Sequence, residues 1–224
     1  VYLYNATASA VTIDKGTMFY APATTTADIV YFTSTSEVSV AANTASGNGQ
    51  AVSVLEGRAV TETLTTNYFG DASGTFKLSE SGIIPASLAL TVGTTSYTHT
   101  TRLTDAGASS PAFTSLTTSN GETVIVLGNG INGLVPPGGS TITVYYRVGG
   151  GSKGNVAANA ITEMSVPVTG ITINMSNVAV GGTNPETLAS IKSNAVTVNR
   201  TQDRAVTLLD YESLIGTFPG VVKS

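Results

Sequence analysis

The residues best placed to do chemistry lie at positions 122–139, ETVIVLGNGINGLVPPGG, where Gly128, Gly130 and Gly133 take the spacing G-x-G-x-x-G directly after an apolar run. In a dinucleotide-binding enzyme that spacing lets a strand-to-helix turn present helix N-terminal N–H groups to a pyrophosphate. The site also needs the helix itself and an acidic residue about 20 positions on to hold the ribose hydroxyl. Here the paired prolines Pro136 and Pro137 forbid the helix, and the next element is strand-like, TITVYYRV. No Asp or Glu occurs between Glu122 and Glu163. The glycines are therefore expected to serve a long β-hairpin connection whose Gly and Asn residues take positive φ.

Other candidate groups are weaker. GGGSKGN, residues 149–155, sets a lysine among glycines but lacks the G-K-[ST] ending and the following helix of a phosphate loop, so a flexible junction between two β units is expected. His99 in TSYTHTTRL is the single histidine, with no Ser or Cys in a recognisable nucleophile motif beside it. The acids are scattered. Only Asp210 and Glu212 lie close together, on a predicted helix start where they complement the helix dipole. Asn5, Asn174 and Asn199 head N-x-[ST] sequons, which arise easily in a chain so rich in Thr and Ser. Tyr2, Tyr4, Tyr31, Tyr145 and Tyr146 could build an aromatic carbohydrate platform, although strand alternation sends at least half of them inward.

Composition sets the elements that must carry these residues. The 224 residues are 41% hydrophobic but only 11% charged, and threonine occurs 36 times. Charged residues usually make up about a quarter of a chain, so Thr, Ser, Asn and Gly must cover this surface. β-branched Thr and Val suit pleated strands, and the good surface helix formers are scarce. Ten scattered Lys and Arg against a net charge of −4 give no footprint for nucleic acid or for an anionic membrane, and there is no cysteine. No apolar run is long enough to span a bilayer, so membrane insertion is not expected, nor is any cofactor or bound metal. The chain begins VYLYNAT, already strand-like and without an initiator Met, as a processed protein or a piece of a longer one would.

Strand candidates recur at short intervals: VYLYNAT, VTIDKGTMFYA turning at Asp14-Lys15-Gly16, DIVYFTS, EVSVAA, AVSVLEG, VTETLTT, GTFKLSE, SLALTV, SYTHTTRLT, ETVIVL, TITVYYRV, NVAANAITEM and TGITINMSNVAV. In TITVYYRV, Ile142, Val144, Tyr146 and Val148 share one face, with Thr141, Thr143, Tyr145 and Arg147 on the other. Beyond Gly182 the period changes to that of helices. Residues 183–186, TNPE, form a capping box with Pro in the first turn, and Leu188, Ile191 and Ala195 share a face. A second helix follows, with Leu208, Tyr211, Leu214 and Ile215 as its apolar stripe and Gly216 and Pro219 as its stop.

The C-terminal run GGTNPETLASIKSNAVTVNRTQDRAVTLLDYESLIGTFPGVVKS resembles the baseplate J-like family, the baseplate wedge proteins of contractile-tailed bacteriophages and related injection machines. Residues 184–188, 200–212 and 219–221 carry the likeness: Pro-Glu-Thr-Leu, then Arg-Thr-x-Asp-Arg-Ala-Val-Thr-x-x-Asp-Tyr-Glu with Gln202 at the variable position, then Pro-Gly-Val. VLEGRAVTETLTTNYFG resembles the entry to a β domain inserted in the larger wedge proteins, and VIVLGNGINGLVPPGGSTITVYYRVGGGSKGNVAANAI its exit, with Asn129 replacing the family's acidic turn residue. Residues 1–50 enter through VTIDKGTMF.

The resemblance implies a structural protein of the virion tail baseplate, not an enzyme. It would dimerise or form a ring around the tail hub, contact other wedge subunits and sheath-initiating proteins, and rearrange as the sheath contracts. The expected fold is mainly β: two sandwich- or barrel-like units, one inserted in the other, then a short helical segment that makes the whole α+β. The first unit is expected to comprise residues 1–55 and 149–182, the insert residues 56–148, and the helical segment residues 183–224, opening a truncated C-terminal domain. Arg200, Asp203, Arg204 and Asp210 are close enough in sequence to form an ion-pair network between the helices, either as an intrachain turn or as an interface, and Tyr211 joins them as an interface candidate. The competing reading is a β-sandwich adhesin module that binds host-surface glycans.

Overall fold

The computed structural model describes residues 1–25, 27–44, 49–65, 74–118 and 120–184, together with 192, 211 and 215. The protein is mainly β. Seven short strands come first: β1 (Tyr2–Asn5), β2 (Val11–Ile13), β3 (Met18–Ala21), β4 (Val30–Ser34), β5 (Val38–Val40), β6 (Gln50–Ala51) and β7 (Val54–Glu56). Seven more follow: β8 (Arg58–Thr65), β9 (Thr75–Ser81), β10 (Ala89–Val92), β11 (Thr95–His99), β12 (Ala112–Thr117), β13 (Glu122–Leu127) and β14 (Thr141–Val148). β15 (Glu163–Met164) and β16 (Ile171–Met175) complete the set. Residues Val1–Thr183 form one compact unit and Asn184–Ser224 a second.

Strands β8 to β14 make a single sheet in the order β8-β14-β10-β11-β12-β13-β9. β14 is its backbone, paired with β8 over eight residues and with β10 on its other side. The turn at Gly93, with φ of 57°, joins β10 to β11 in a tight hairpin where Gly supplies the left-handed conformation. The sheet curls until its ends meet. Past β9, Gly82 accepts a bond from the Gly149 amide at 3.0 Å and Ile84 donates to Arg147 at 2.9 Å, so the chain leaving β9 returns to the end of β14. Inside this near-barrel Leu78, Leu90, Phe113, Ile125, Ile142, Val144 and Tyr146 are buried. The alternation in β14 holds as expected, with Ile142, Val144 and Tyr146 fully inside.

The remaining strands form three small sheets, β16-β1-β6, β15-β3-β4-β7 and the pair β2-β5, packed around Leu3, Ile13, Phe19, Phe32, Val40, Val52 and Ile161. Asn5 is wholly buried among them. Its amide nitrogen donates to the Ser9 and Val40 carbonyls at 2.8 and 3.1 Å, and its side-chain oxygen accepts from the Thr7 amide at 2.9 Å. Every polar atom of that side chain is used, as burial demands, and the sequon at Asn5 is closed to glycan attachment.

Four expectations change. β13 and β14 are not a hairpin: β13 pairs with β12 and β9, so residues 128–140 cross from one part of the sheet to another. β2 and β3, expected around one turn, join different sheets, β2 with β5 and β3 with β4. NVAANAITEM forms only the two-residue β15 and an isolated bridge from Val156 to Ala179. AFTSLT, absent from the strand candidates, is strand β12 and runs parallel to its neighbour β11. Its outward Leu116 is 58% exposed while Ala112 and Phe113 are both buried, so the period-2 signal is absent. The two predicted C-terminal helices lie outside the described residues, except that Lys192, Tyr211 and Ile215 each have helical backbone.

The inverted face of β12 is directly testable. Phe113→Ala should lower the unfolding free energy by about 3–5 kcal/mol, since it empties a filled core position. Leu116→Ser should change it by less than about 0.5 kcal/mol in the same urea titration. Equal effects would place β12 in the wrong register.

Candidate functional site

The glycine spacing at 128–133 builds a loop closed on itself. Gly130 and Gly133 take φ of 83° and 82°, and the Gly130 amide donates to the Gly133 carbonyl at 3.0 Å. The Asn129 side chain accepts from the amides of Ile131 and Asn132 at 3.0 and 2.8 Å, an Asx turn. A Cβ on Gly128 would stand 2.2 Å from the Gly133 carbonyl carbon, so two backbone segments touch where a side chain has no room. The amides of residues 129–132 are consumed within the loop, and no helix follows. The loop is a turn whose glycines serve packing.

GGGSKGN turns out to be a shaped junction rather than a flexible one. The Gly150 amide donates to Glu56 Oε1 at 2.8 Å, and the Arg147 guanidinium donates to the Glu56 carbonyl oxygen. A Cβ on Gly149, where φ is 154°, would lie 2.4 Å from Glu56 Oε1, and one on Gly154 would lie 2.7 Å from Glu56 Cγ. The glycines therefore make space for a carboxylate of this chain instead of a phosphate. Lys153 points elsewhere, to an exposed pair with Asp28 at 3.0 Å that adds little stability.

A second carboxylate went unnoticed in the sequence. Glu62 occupies the inward-facing row of β8, between Val60 and Leu64, at the seam where β8 approaches β9. It accepts from the Ser79 amide at 3.0 Å, from the Ser79 hydroxyl and from the Tyr146 phenol, and Arg58 spans the same seam to Glu80 at 2.9 Å. Burial pushes the Glu62 carboxyl up, but the bonds from Ser79 and Tyr146 outweigh it and hold it below its ordinary value of 4.5. Burial and then the bond to Glu62 push Tyr146 up to about 12. An acid at an apolar position of an alternating strand was the available signal.

His99 does meet a serine: its Nε2 lies 2.9 Å from Ser115 Oγ, and its ring stacks on Phe113 with centroids 4.9 Å apart. Burial lowers its pKa, which keeps the ring neutral at pH 7. Among the described residues no carboxylate orients the imidazole, so the pair lacks the third member that activates a nucleophile. Nor do three His, Asp or Glu side chains gather into a metal-binding group there. Tyr146 is fully buried, Tyr2, Tyr4, Tyr31 and Tyr145 are partly covered, and Tyr20 and Tyr31 pack on one another 5.8 Å apart, so the five candidate tyrosines do not share one exposed face. Arg200, Asp203, Arg204 and Asp210 lie outside the described residues; Tyr211 is helical and 55% exposed.

A cleft of about 820 Å³ lies beside β7, with Val54, Leu55, Glu56, Ile84, Val178 and Val180 among its lining residues. It has the size of a ligand site, yet the only charged side chains on its walls, Glu56 and Arg147, are already bonded to the protein. Its walls offer apolar surface and backbone rather than reactive groups. No protein-family model matches the chain, and no curated protein matches it.

Two measurements check these assignments. Gly128→Ala should destabilise the fold by at least about 2 kcal/mol because backbone must move, whereas NAD or ATP should leave the melting temperature of the unaltered chain unchanged; a nucleotide-induced rise would reverse the reading of the loop. Glu62→Gln should cost about 1–2 kcal/mol at pH 7, discounted for partial exposure. The folded-state pKa of Glu62 is depressed, so its contribution is present above the unfolded value of 4.5 and fades as pH falls through the lower folded value. The gap between the two proteins should shrink from pH 7 to pH 3 in urea titrations, and a constant gap would rule the charge out.

Proposed function

We propose that this chain is a structural component of a contractile phage tail baseplate, a wedge subunit that forms part of the scaffold around the tail hub and rearranges with sheath contraction. What supports the proposal is the pattern at 184–221, where Pro-Glu-Thr-Leu, Arg-Thr-x-Asp-Arg-Ala-Val-Thr-x-x-Asp-Tyr-Glu and Pro-Gly-Val follow one another in a run that resembles the baseplate J-like family. Residues 56–148 are then a β domain inserted into a unit made from 1–55 and 149–182. The two separate buried clusters, one drawn from 60–148 and the other from 1–54 and 156–179, support that division.

The physical character of the body suits a scaffold. Its loops are closed by their own hydrogen bonds, its half-buried carboxylates are spent on internal contacts, and its surface is low in charge. An enzyme has less support, because the one Ser–His contact is incomplete. A glycan-binding adhesin has less support too, because Tyr146 is buried and Tyr31 packs on Tyr20.

Co-expression with the tail proteins of its own phage is the test. The chain should co-purify with other wedge and hub subunits and take its place in baseplates seen by electron microscopy, and Arg204→Ala should reduce that incorporation. Glycan-array binding without any tail association would replace this reading with the adhesin one.

A further inference from the structure

We infer that the cleft beside β7 is a strand-addition site, which takes an extended, uncharged segment of a partner polypeptide as a new β-strand between β7 and residues 178–180. The inference rests on the scaffold reading above and names the kind of contact by which such a scaffold would hold a neighbour.

β7 is the edge of the sheet β15-β3-β4-β7. Its ladder to β4 uses alternate residues: Ser53 accepts from the Thr35 amide at 3.0 Å, and the Gly57 amide donates to Tyr31 at 2.8 Å. Antiparallel pairing then turns the N–H and C=O of Val54 and the N–H of Glu56 away from β4, where they have no partner among the described residues. The Glu56 carbonyl alone is occupied, by Arg147. On the lining of the same cleft, Ala179 exchanges both backbone bonds with Val156, at 3.1 and 3.0 Å. The same alternation points the peptide groups of Val178 and Val180 away from Val156. The cleft is thus lined by the β7 edge and by the bridge segment 178–180, both with spare donors and acceptors, which an added strand can use.

The side chains define the occupant further. Leu55, Val178 and Val180 are 52%, 56% and 77% exposed and line the same cleft. They would cover apolar side chains at alternate positions of a bound strand, since these project to one face. The wall's exposed side chains are apolar and its charged ones, Glu56 and Arg147, each already hold a contact within the chain, so a neutral segment is the better match.

The probe is a synthetic peptide of alternating valine and threonine with blocked ends, added to the full ¹⁵N-labelled chain. The Val54 and Glu56 amides should exchange quickly in the free chain and about tenfold more slowly when the peptide saturates it. The same peptide N-methylated at alternate residues keeps its apolar surface but cannot complete both ladders, and it should bind at least about tenfold more weakly. Leu55→Asp and Val178→Asp, both at exposed positions, should weaken binding similarly with an unchanged circular dichroism spectrum. If a variant unfolds, the N-methylated comparison decides alone. Equal binding of the two peptides, unprotected Val54 and Glu56 amides at saturation, or no binding at all would overturn the inference. Because the isolated chain is used, these results stand apart from co-purification with tail proteins, and either reading can fail while the other survives.

Discussion

The described body depends on one carboxylate in an unusual seat. The chain passes twice between its two buried clusters, at Glu56-Gly57 and at Val148-Gly149-Gly150, and these passages lie side by side because Arg58 pairs with Val148. Glu56 ties them together, its carboxylate bonded to the Gly150 amide and its carbonyl to Arg147. A charged group half-removed from water must have such partners. The glycines at 149 and 154 follow from it, since any side chain there would collide with Glu56. The cleft opens against this junction, so its walls are held by the same bonds.

Glu62 repeats the principle at the barrel seam. Closing a seven-stranded sheet brings β8 toward β9 without a full ladder between them, which leaves the Ser79 amide without a strand partner. The inward Glu62 carboxylate supplies the acceptor, and the Tyr146 phenol, rooted in the core, donates to the same group. A hydrophobe at position 62 would pack well with Val60 and Leu64 but would leave that amide orphaned.

Much of the strand inventory was legible because alternation is a local property. β14, β8 and β13 carry their pattern in consecutive residues, and the turn at Gly93 carries its own in one glycine. β12 was illegible because Leu116 faces water while Ala112 and Phe113 are both buried, so its apolar residues do not share one face. Pairing partners were illegible as well: β13 and β14 are neighbours in sequence but not in the sheet, as are β2 and β3. The polar contacts were hidden more deeply. Glu56 meets Gly150 across 94 positions and Glu62 meets Tyr146 across 84, and nothing in a linear reading marks such pairs.

By itself the sequence determined the class of the fold, through its Thr- and Val-rich alternation, and it denied a nucleotide site at LGNGING by placing two prolines and a strand where a helix was required. Tertiary structure alone decided what the glycines are for. At 128 and 133 they let two backbone segments touch, and at 149 and 154 they make room for Glu56. The same residue type gives a phosphate cradle, a tight crossing or a seat for a carboxylate, because glycine specifies only where a side chain is missing. What fills that space is set by chain arriving from far away in the sequence.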